Sequence, residues 1–170
     1  ILLEAEEQKK VPVGISKYVL EIDEFFVAEN QMGEDEALQI GFTSRYIRTN
    51  WKKADNKMKS KTVSHINNFL RAVESLRQYG VYLTHGDLKM GNIVYEATES
   101  KPYIIDFGLS TIRVDYHEGG YSSAIIDFVK FNANGTEFGA TDIAMFAFCY
   151  NRTFNNPTTT VEFARLYCGI

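Results

Sequence analysis

The chain has 170 residues, of which 45% are hydrophobic and 14% aromatic, and it carries a formal net charge of −4. This length and apolar content suffice for one folded domain with a buried core and exclude global disorder. The acidic balance argues against nucleic acid as a partner, and the lack of any run of eighteen apolar residues predicts no membrane-spanning helix.

The first predicted elements are two short strands around a tight turn. Tyr18–Asp23 and Phe25–Asn30 are rich in the β-branched and aromatic residues that favour strands. The sequence therefore predicts a small sheet near the beginning of the chain.

A basic stretch follows at Trp51–Lys61, with five Lys in eleven residues. Runs of like charge usually form a solvated surface, so the first interpretation is an exposed loop and the start of a helix. The alternative is that Lys52–Lys61 is a docking patch for an acidic partner. Trp51 is then either an anchor of that contact or a core residue.

Helical spacing dominates the next segment, Val63–Gly80. Its apolar residues recur every three or four positions, which predicts one buried helical face, and Gly80 is a natural stop. The residues of this face are Ile66, Phe69, Leu70, Val73 and Leu76.

Two polar loops flank a predicted hairpin. The first loop contains His85-Gly86-Asp87-Leu88-Lys89 and Asn92, and the second contains Asp106-Phe107-Gly108. Between them, Ile93–Tyr95 and Tyr103–Ile105 read as strands joined by the polar turn Glu96–Lys101. The hairpin is expected to bring Asp87 and Asp106, nineteen residues apart, to one pocket.

These two ordered loops resemble the catalytic loop and the Mg-binding loop of the protein-kinase superfamily. The resemblance implies an α+β, protein-kinase-like fold, consisting mainly of the helical C-lobe with a remnant of the N-lobe sheet. Residues 1–28 would be a partial N-lobe. Residues 29–170 would be the C-lobe with the hinge, the catalytic loop and the activation segment.

The resemblance also assigns roles to individual residues, with ATP and Mg²⁺ as cofactors. Asp87 would orient the attacking hydroxyl and accept its proton, and Lys89 would reach the γ-phosphate. Asn92 and Asp106 would hold Mg²⁺. His85 would pack beneath Phe107.

By the same resemblance, the strand Phe25–Asn30 would run into the hinge that binds adenine. The backbone of Glu29, Asn30 and Gln31 would contact the adenine edge, and Ala28 would be the gatekeeper. Ile1–Lys10 would be the end of the helix that carries the acid pairing with a strand Lys, and Glu4 would be that acid.

Downstream, Gly139–Phe146 resembles the start of the buried central helix of the C-lobe. Its Asp142 would accept hydrogen bonds from the backbone of the catalytic loop. Gly86 stands where many regulated kinases have a phosphate-clamping Arg. We therefore expect activity that does not depend on phosphorylation between Leu109 and Thr141.

Cys149 and Cys168 show no metal or disulfide spacing, which is typical of reduced thiols in a cytosolic protein. We expect a cytoplasmic location, or the host cytoplasm for a viral or bacterial effector kinase.

The predicted function is transfer of the γ-phosphate of MgATP to a Ser or Thr hydroxyl of a protein substrate, by a compact atypical kinase. Lys89 and the intact Asp106-Phe107-Gly108 favour a protein substrate over the small molecules used by aminoglycoside- and choline-type kinases, the first alternative. The family's Gly-rich loop and strand Lys are absent, so we expect a truncated or partial polypeptide. A second alternative is a non-catalytic pseudokinase or C-lobe mimic that binds a kinase or its substrate.

Overall fold

The computed structural model describes residues 13–32, 35–114 and 140–155. Its elements are α1 (Val13–Ser16), β1 (Ile22–Met32), β2 (Asp35–Ser44), α2 (Asn56–Leu76), β3 (Val81–Thr84), β4 (Ile93–Glu96), β5 (Lys101–Ile104), β6 (Thr111–Val114) and α3 (Ala140–Phe154). Short 3-10 turns lie at Trp51–Lys53, Arg77–Tyr79 and Met90–Asn92. The described part of the chain thus combines helices with small two-stranded sheets, which makes it α+β.

The first sheet corrects the prediction of a turn near Glu24. β1 is one long strand that pairs antiparallel with β2, from Ile22 opposite Ser44 to Met32 opposite Asp35. The register shifts between Ile22 and Glu24. Such an irregularity absorbs an extra residue without reversing the chain, so a local break in the pattern does not make a turn.

The boundary predicted after Ala28 falls in the middle of β1, where Ala28 lies opposite Gln39. A division at this point would split a hydrogen-bonded hairpin. The assignment of residues 1–28 and 29–170 to two lobes stays a prediction, and Glu4 lies outside the described residues.

The beginning of the predicted strand Tyr18–Asp23 joins another sheet instead. Leu20 N–H donates to the carbonyl of Ile104 at 3.1 Å, and Ile104 N–H donates to the carbonyl of Tyr18 at 2.8 Å. The chain thus runs beside β5 before it enters β1. Along the chain, Leu20 therefore lies at this contact with β5 and shortly before the start of β1.

Helix α2 confirms the predicted amphipathic helix and begins before Val63. The Asp55 side chain caps its first turn by accepting the Met58 N–H at 2.8 Å. The 3-10 turn that follows α2 ends at Gly80, whose left-handed φ of 72° suits glycine. Lys52, Lys53 and Lys57 are exposed, in agreement with a solvated loop and helix start. An acidic partner for Lys52–Lys61 stays a prediction.

The predicted hairpin after the first polar loop is confirmed as β4 and β5, with Ile93 opposite Ile104. β3 and β6 form a second pair, with Thr84 opposite Thr111. The two polar loops leave these neighbouring strands, so they begin and end close together.

The core contains residues of both polar loops. Leu88 and Phe107 are fully buried with side chains of α2, β4, β5 and α3. The largest members of this core are Ile66, Phe69, Leu83, Leu88, Ile93, Ile104, Phe107 and Phe146. No helix within the described ranges has the length and apolarity needed to cross a membrane.

His65 makes stability depend on pH. Its Nε2–H donates to the Tyr18 carbonyl at 3.0 Å, and burial lowers its pKa from 6.5 to about 4. Between pH 6.5 and about 4, His65 is therefore protonated in the unfolded chain and neutral in the folded chain. The free energy of unfolding thus falls as the pH drops through this range.

We expect this loss to be on the order of 3 kcal/mol at most, or several degrees of melting temperature. His65→Gln keeps an N–H donor but does not titrate, so its melting temperature should fall less than that of the wild type between pH 7 and pH 4.5. Equal pH dependence of the two proteins would contradict this role.

Candidate active site

Three of the residues predicted to carry out chemistry meet in one cluster. The Asp87 carboxylate Oδ2 accepts from Lys89 Nζ at 2.8 Å and from Asn92 Nδ2 at 2.9 Å. Asn92 Nδ2 also donates to the main-chain carbonyl of Asp87 at 2.8 Å. Since the amide nitrogen is engaged with Asp87, the Asn92 Oδ1 atom is its acceptor for other groups.

The charges in this cluster favour an ionised Asp87. The hydrogen bond from Lys89 is the main cause that lowers the pKa of the Asp87 carboxyl, and Asp87 in turn raises the pKa of Lys89. The Lys89 side chain is half exposed, whereas that of Asp87 is 20% exposed. Lys89 can therefore turn toward an arriving anion while Asp87 stays in place.

The loop presents these side chains because its apolar residues point inward. Leu88 and Met90 are buried, whereas Lys89 and Gly91 between and after them are exposed. Hydrogen bonds from Lys89 N–H to Asp87 O and from Asn92 N–H to Lys89 O, both 2.9 Å, close the turn. The alternation of buried and exposed residues fixes which side chains face solvent.

Asp106 lies two residues after the end of β5 and has a left-handed φ of 62°. This conformation costs roughly 1–2 kcal/mol for a residue with a Cβ, and Asp tolerates it better than most. Asp106 Oδ1 accepts the Gly108 N–H at 3.3 Å. The backbone thus exposes the Asp106 side chain while Phe107 enters the core.

His85 connects the two loops, and its predicted packing against Phe107 is confirmed by a ring separation of 4.7 Å. Its Nδ1 accepts the Asp87 N–H at 3.2 Å, and its Nε2–H donates to the carbonyl of Ile105 at 2.9 Å. These partners assign the proton to Nε2. One buried ring therefore fixes Asp87 relative to the residue before Asp106.

Asp142, in the first turn of α3, anchors the first loop as predicted. It is 1% exposed, and its two carboxylate oxygens accept the N–H groups of His85 at 2.8 Å and Gly86 at 3.0 Å. Burial raises the pKa of Asp142, while the two N–H donors act in the opposite direction. The anchor ties the loop to a helix more than fifty residues downstream.

Gly86 is required by its surroundings. Its φ is +86°, and a Cβ at this position would lie 2.3 Å from the Leu109 carbonyl oxygen. The next residue, Ser110, donates its hydroxyl to the carbonyl of His85 at 2.7 Å. The segment after Asp106 therefore occupies the space that a larger residue at position 86 would need.

A cavity of about 340 Å³ opens beside Asp106. Its walls come from the start and end of the first hairpin, the segment after β2, and the strands next to the polar loops. They are Leu20, Phe42, Ser44, Arg45, Tyr46, Ile47, Val94, Ile105 and Asp106. The wall is mostly apolar, and Asp106 provides a carboxylate at one side.

Glu29, Asn30 and Gln31 are not brought to this cavity. They lie in β1 opposite Leu38, Ala37 and Glu36. Leu38 lies six positions before Ser44 in β2, which at the usual strand rise is about 20 Å. Their predicted adenine contact depended on a turn near Glu24 that the fold lacks, so it stays a prediction without support from this geometry.

Sequence reasoning missed the wall residues Arg45–Ile47. A signal was present in Gly33-Glu34-Asp35, a cluster typical of a turn. A hairpin turn predicted at this point would have implied a second strand that ends before Arg45. Arg45–Ile47 would then have been expected to follow that strand.

The oxygen donors suit Mg²⁺ held together with a phosphate ligand. Among the described residues, no group of three or more His, Cys, Asp and Glu side chains could hold a metal ion. Mg²⁺ in phosphate sites is usually held by one or two protein oxygens, the phosphates and water. Asn92 Oδ1 and the Asp106 carboxylate fit that donor set.

No protein-family model and no curated protein matches the chain. Among solved structures, the chain is similar to the kinase PK-1 of Cydia pomonella granulovirus, with 15% sequence identity and a TM-score of 0.40. The match covers 97% of this chain and 64% of the viral one. The chain therefore spans less than two thirds of the length of that protein.

We expect Asp142 to be needed for folding stability and Asp106 not to be. Asp142→Ala leaves two buried N–H groups unpaired and should cost roughly 1–3 kcal/mol or more, or at least several degrees of melting temperature. Asp106→Asn is the matched control, because Asn tolerates the left-handed conformation and keeps the acceptor for Gly108. Calorimetry of both variants without ligand tests this, and an Asp142→Ala protein that melts like the wild type would refute the anchor.

Proposed function

We propose that this protein is an ATP-dependent phosphotransferase with a protein-kinase-like fold, which transfers the γ-phosphate of MgATP to a hydroxyl group. The observation that carries the proposal is the cluster of Asp87, Lys89 and Asn92, linked through His85 to the segment of Asp106. Phosphoryl transfer needs positioned charges more than covalent chemistry. Together with Asp106, this cluster supplies a carboxylate at Asp87, a half-exposed cation at Lys89 and two further oxygen donors within two adjacent loops.

Each residue then has a distinct task. Asp87, ionised and held by Asn92, orients the acceptor hydroxyl and accepts its proton. Lys89 leaves Asp87 for the γ-phosphate as charge develops there. Asn92 Oδ1 and Asp106 would hold Mg²⁺, which supplies neutralisation of the phosphate charge when it is bound.

The cavity beside Asp106 is the proposed nucleotide site. Its volume of about 340 Å³ lies in the range of small-molecule pockets, and apolar walls such as Phe42 and Val94 suit a planar base. Arg45–Ile47 follow the last pair of the β1–β2 ladder, and all three residues line the cavity. In this proposal Arg45–Ile47 takes the role that the sequence suggested for Glu29–Gln31.

We propose a Ser or Thr hydroxyl of a protein as the acceptor, because Lys89 and Asp106-Phe107-Gly108 are typical of kinases that act on proteins. A small-molecule hydroxyl is the alternative that the same assay distinguishes. The other candidate function is a non-catalytic module that binds nucleotide or a partner without transfer. It is favoured by the lack of a Gly-rich loop and a strand Lys in the sequence.

The test is transfer of label from γ-labelled ATP to casein and, separately, to choline and an aminoglycoside. Asp87→Asn should reduce the rate on the order of 10³-fold or more, since it removes the proton acceptor. Glu24→Gln, which changes an exposed carboxylate in β1, is the control and should retain the wild-type rate. Transfer that survives in Asp87→Asn would refute the assignment, and a melting shift with MgATP without transfer would favour the binding module.

Activity should not depend on phosphorylation between Leu109 and Thr141, because Gly86 offers no cation to a phosphate. Ser110 and Thr111 are the hydroxyl residues of this segment that the structure describes; the others lie outside the described residues. Phosphatase treatment followed by the transfer assay measures the effect. A loss beyond about tenfold, the scale of one ordering contact, would count against the prediction.

A further inference from the structure

Trp51 reaches across to the first polar loop. Its indole Nε1–H donates to the carbonyl of Met90 at 2.9 Å and to that of Ile93 at 3.2 Å. These two carbonyls bracket Gly91 and Asn92. A single donor from the 3-10 turn before α2 therefore holds both ends of the turn that carries Asn92.

The indole is itself held by elements outside the loop. The Asn50 side chain caps the 3-10 turn Trp51–Lys53 by accepting the Lys52 N–H at 3.1 Å. The Trp51 ring packs edge-on against Phe154 of α3, with 6.4 Å between the ring centres. Trp51 is therefore fixed independently of the loop residues on which it acts.

The contacts of Trp51 complement those of Asp142. Asp142 and Ser110 hold the beginning of the loop, at His85 and Gly86. Trp51 holds its end, where the Ile93 N–H also donates to the Met90 carbonyl. Both Asn92 Nδ2 contacts with Asp87 depend on the orientation of this turn.

We propose that Trp51 is a positioning residue that sets the orientation of Asn92 and thereby the affinity of the site for Mg²⁺. The proposal deepens the proposed function and rests on it where it concerns Mg²⁺. Its structural part, the restraint of the turn Met90–Ile93, does not need that function. The basic stretch Trp51–Lys61 thus contains one residue that serves the active site from within the fold.

Trp51→Phe removes the N–H donor and keeps an aromatic ring against Phe154. In the protein without ligand, hydrogen exchange of the Asn92 and Ile93 amides should become about five- to tenfold faster, the effect of losing one net hydrogen bond. The Mg²⁺ concentration that gives half the maximal transfer rate should rise by a similar factor. At saturating Mg²⁺, kcat should stay within about twofold, since no reacting group has changed.

Phe154→Leu is the matched control, because it removes the ring contact and leaves the N–H donor in place. It should lower the melting temperature but change the Mg²⁺ dependence and the exchange of Asn92 and Ile93 by less than Trp51→Phe does, because the N–H donor is still present. If Trp51→Phe does not fold, a benzothienylalanine at position 51 replaces the N–H by sulfur at the same ring size and gives the same expectation.

Two results would overturn the proposal: unchanged exchange and Mg²⁺ dependence in Trp51→Phe, or equal shifts in Phe154→Leu. If the wild type transfers no phosphate, the proposed function fails. The exchange experiment still decides whether Trp51 restrains the turn.

Discussion

The arrangement of the site depends on one buried carboxylate. The Asp142 carboxyl group is buried in the core, which is unfavourable unless hydrogen bonds replace those lost from water. The backbone N–H groups of His85 and Gly86 provide them, one for each oxygen. The first polar loop and α3 therefore satisfy each other, and neither has the same partner in an unfolded chain.

Buried groups connect this anchor to the exposed side chains of the site. The His85 ring bonds to the carbonyl of Ile105 and so ties the first loop to the second, and Phe107 packs on the same ring. The Leu88 side chain of the first loop is fully buried in the core. Asp87 and Lys89, to which the proposed function gives chemical roles, stand on a backbone whose N–H and carbonyl groups are bonded within the fold. This is the preorganisation that electrostatic catalysis requires.

Local patterns in the sequence predicted the elements whose partners are close along the chain. The spacing in α2, the β4–β5 hairpin and the loops with Asp87 and Asp106 was sufficient, because each feature is set by neighbouring residues. The length of β1 was missed, since pairing with β2 overrides the break near Glu24. The hydrogen bonds of Trp51 to the first polar loop were also missed, because they span 39 and 42 residues and composition cannot reveal them.

The crowding at Gly86 also limits how this protein can evolve. Any side chain at that position meets the Leu109 carbonyl, which belongs to the main chain and cannot be moved by changing Leu109 to another residue. A single substitution that introduces a cation at this point would therefore clash with the main chain and strain the backbone. Control through a phosphate receptor would require the backbone of the segment after Asp106 to be rerouted first, so the two changes have a fixed order.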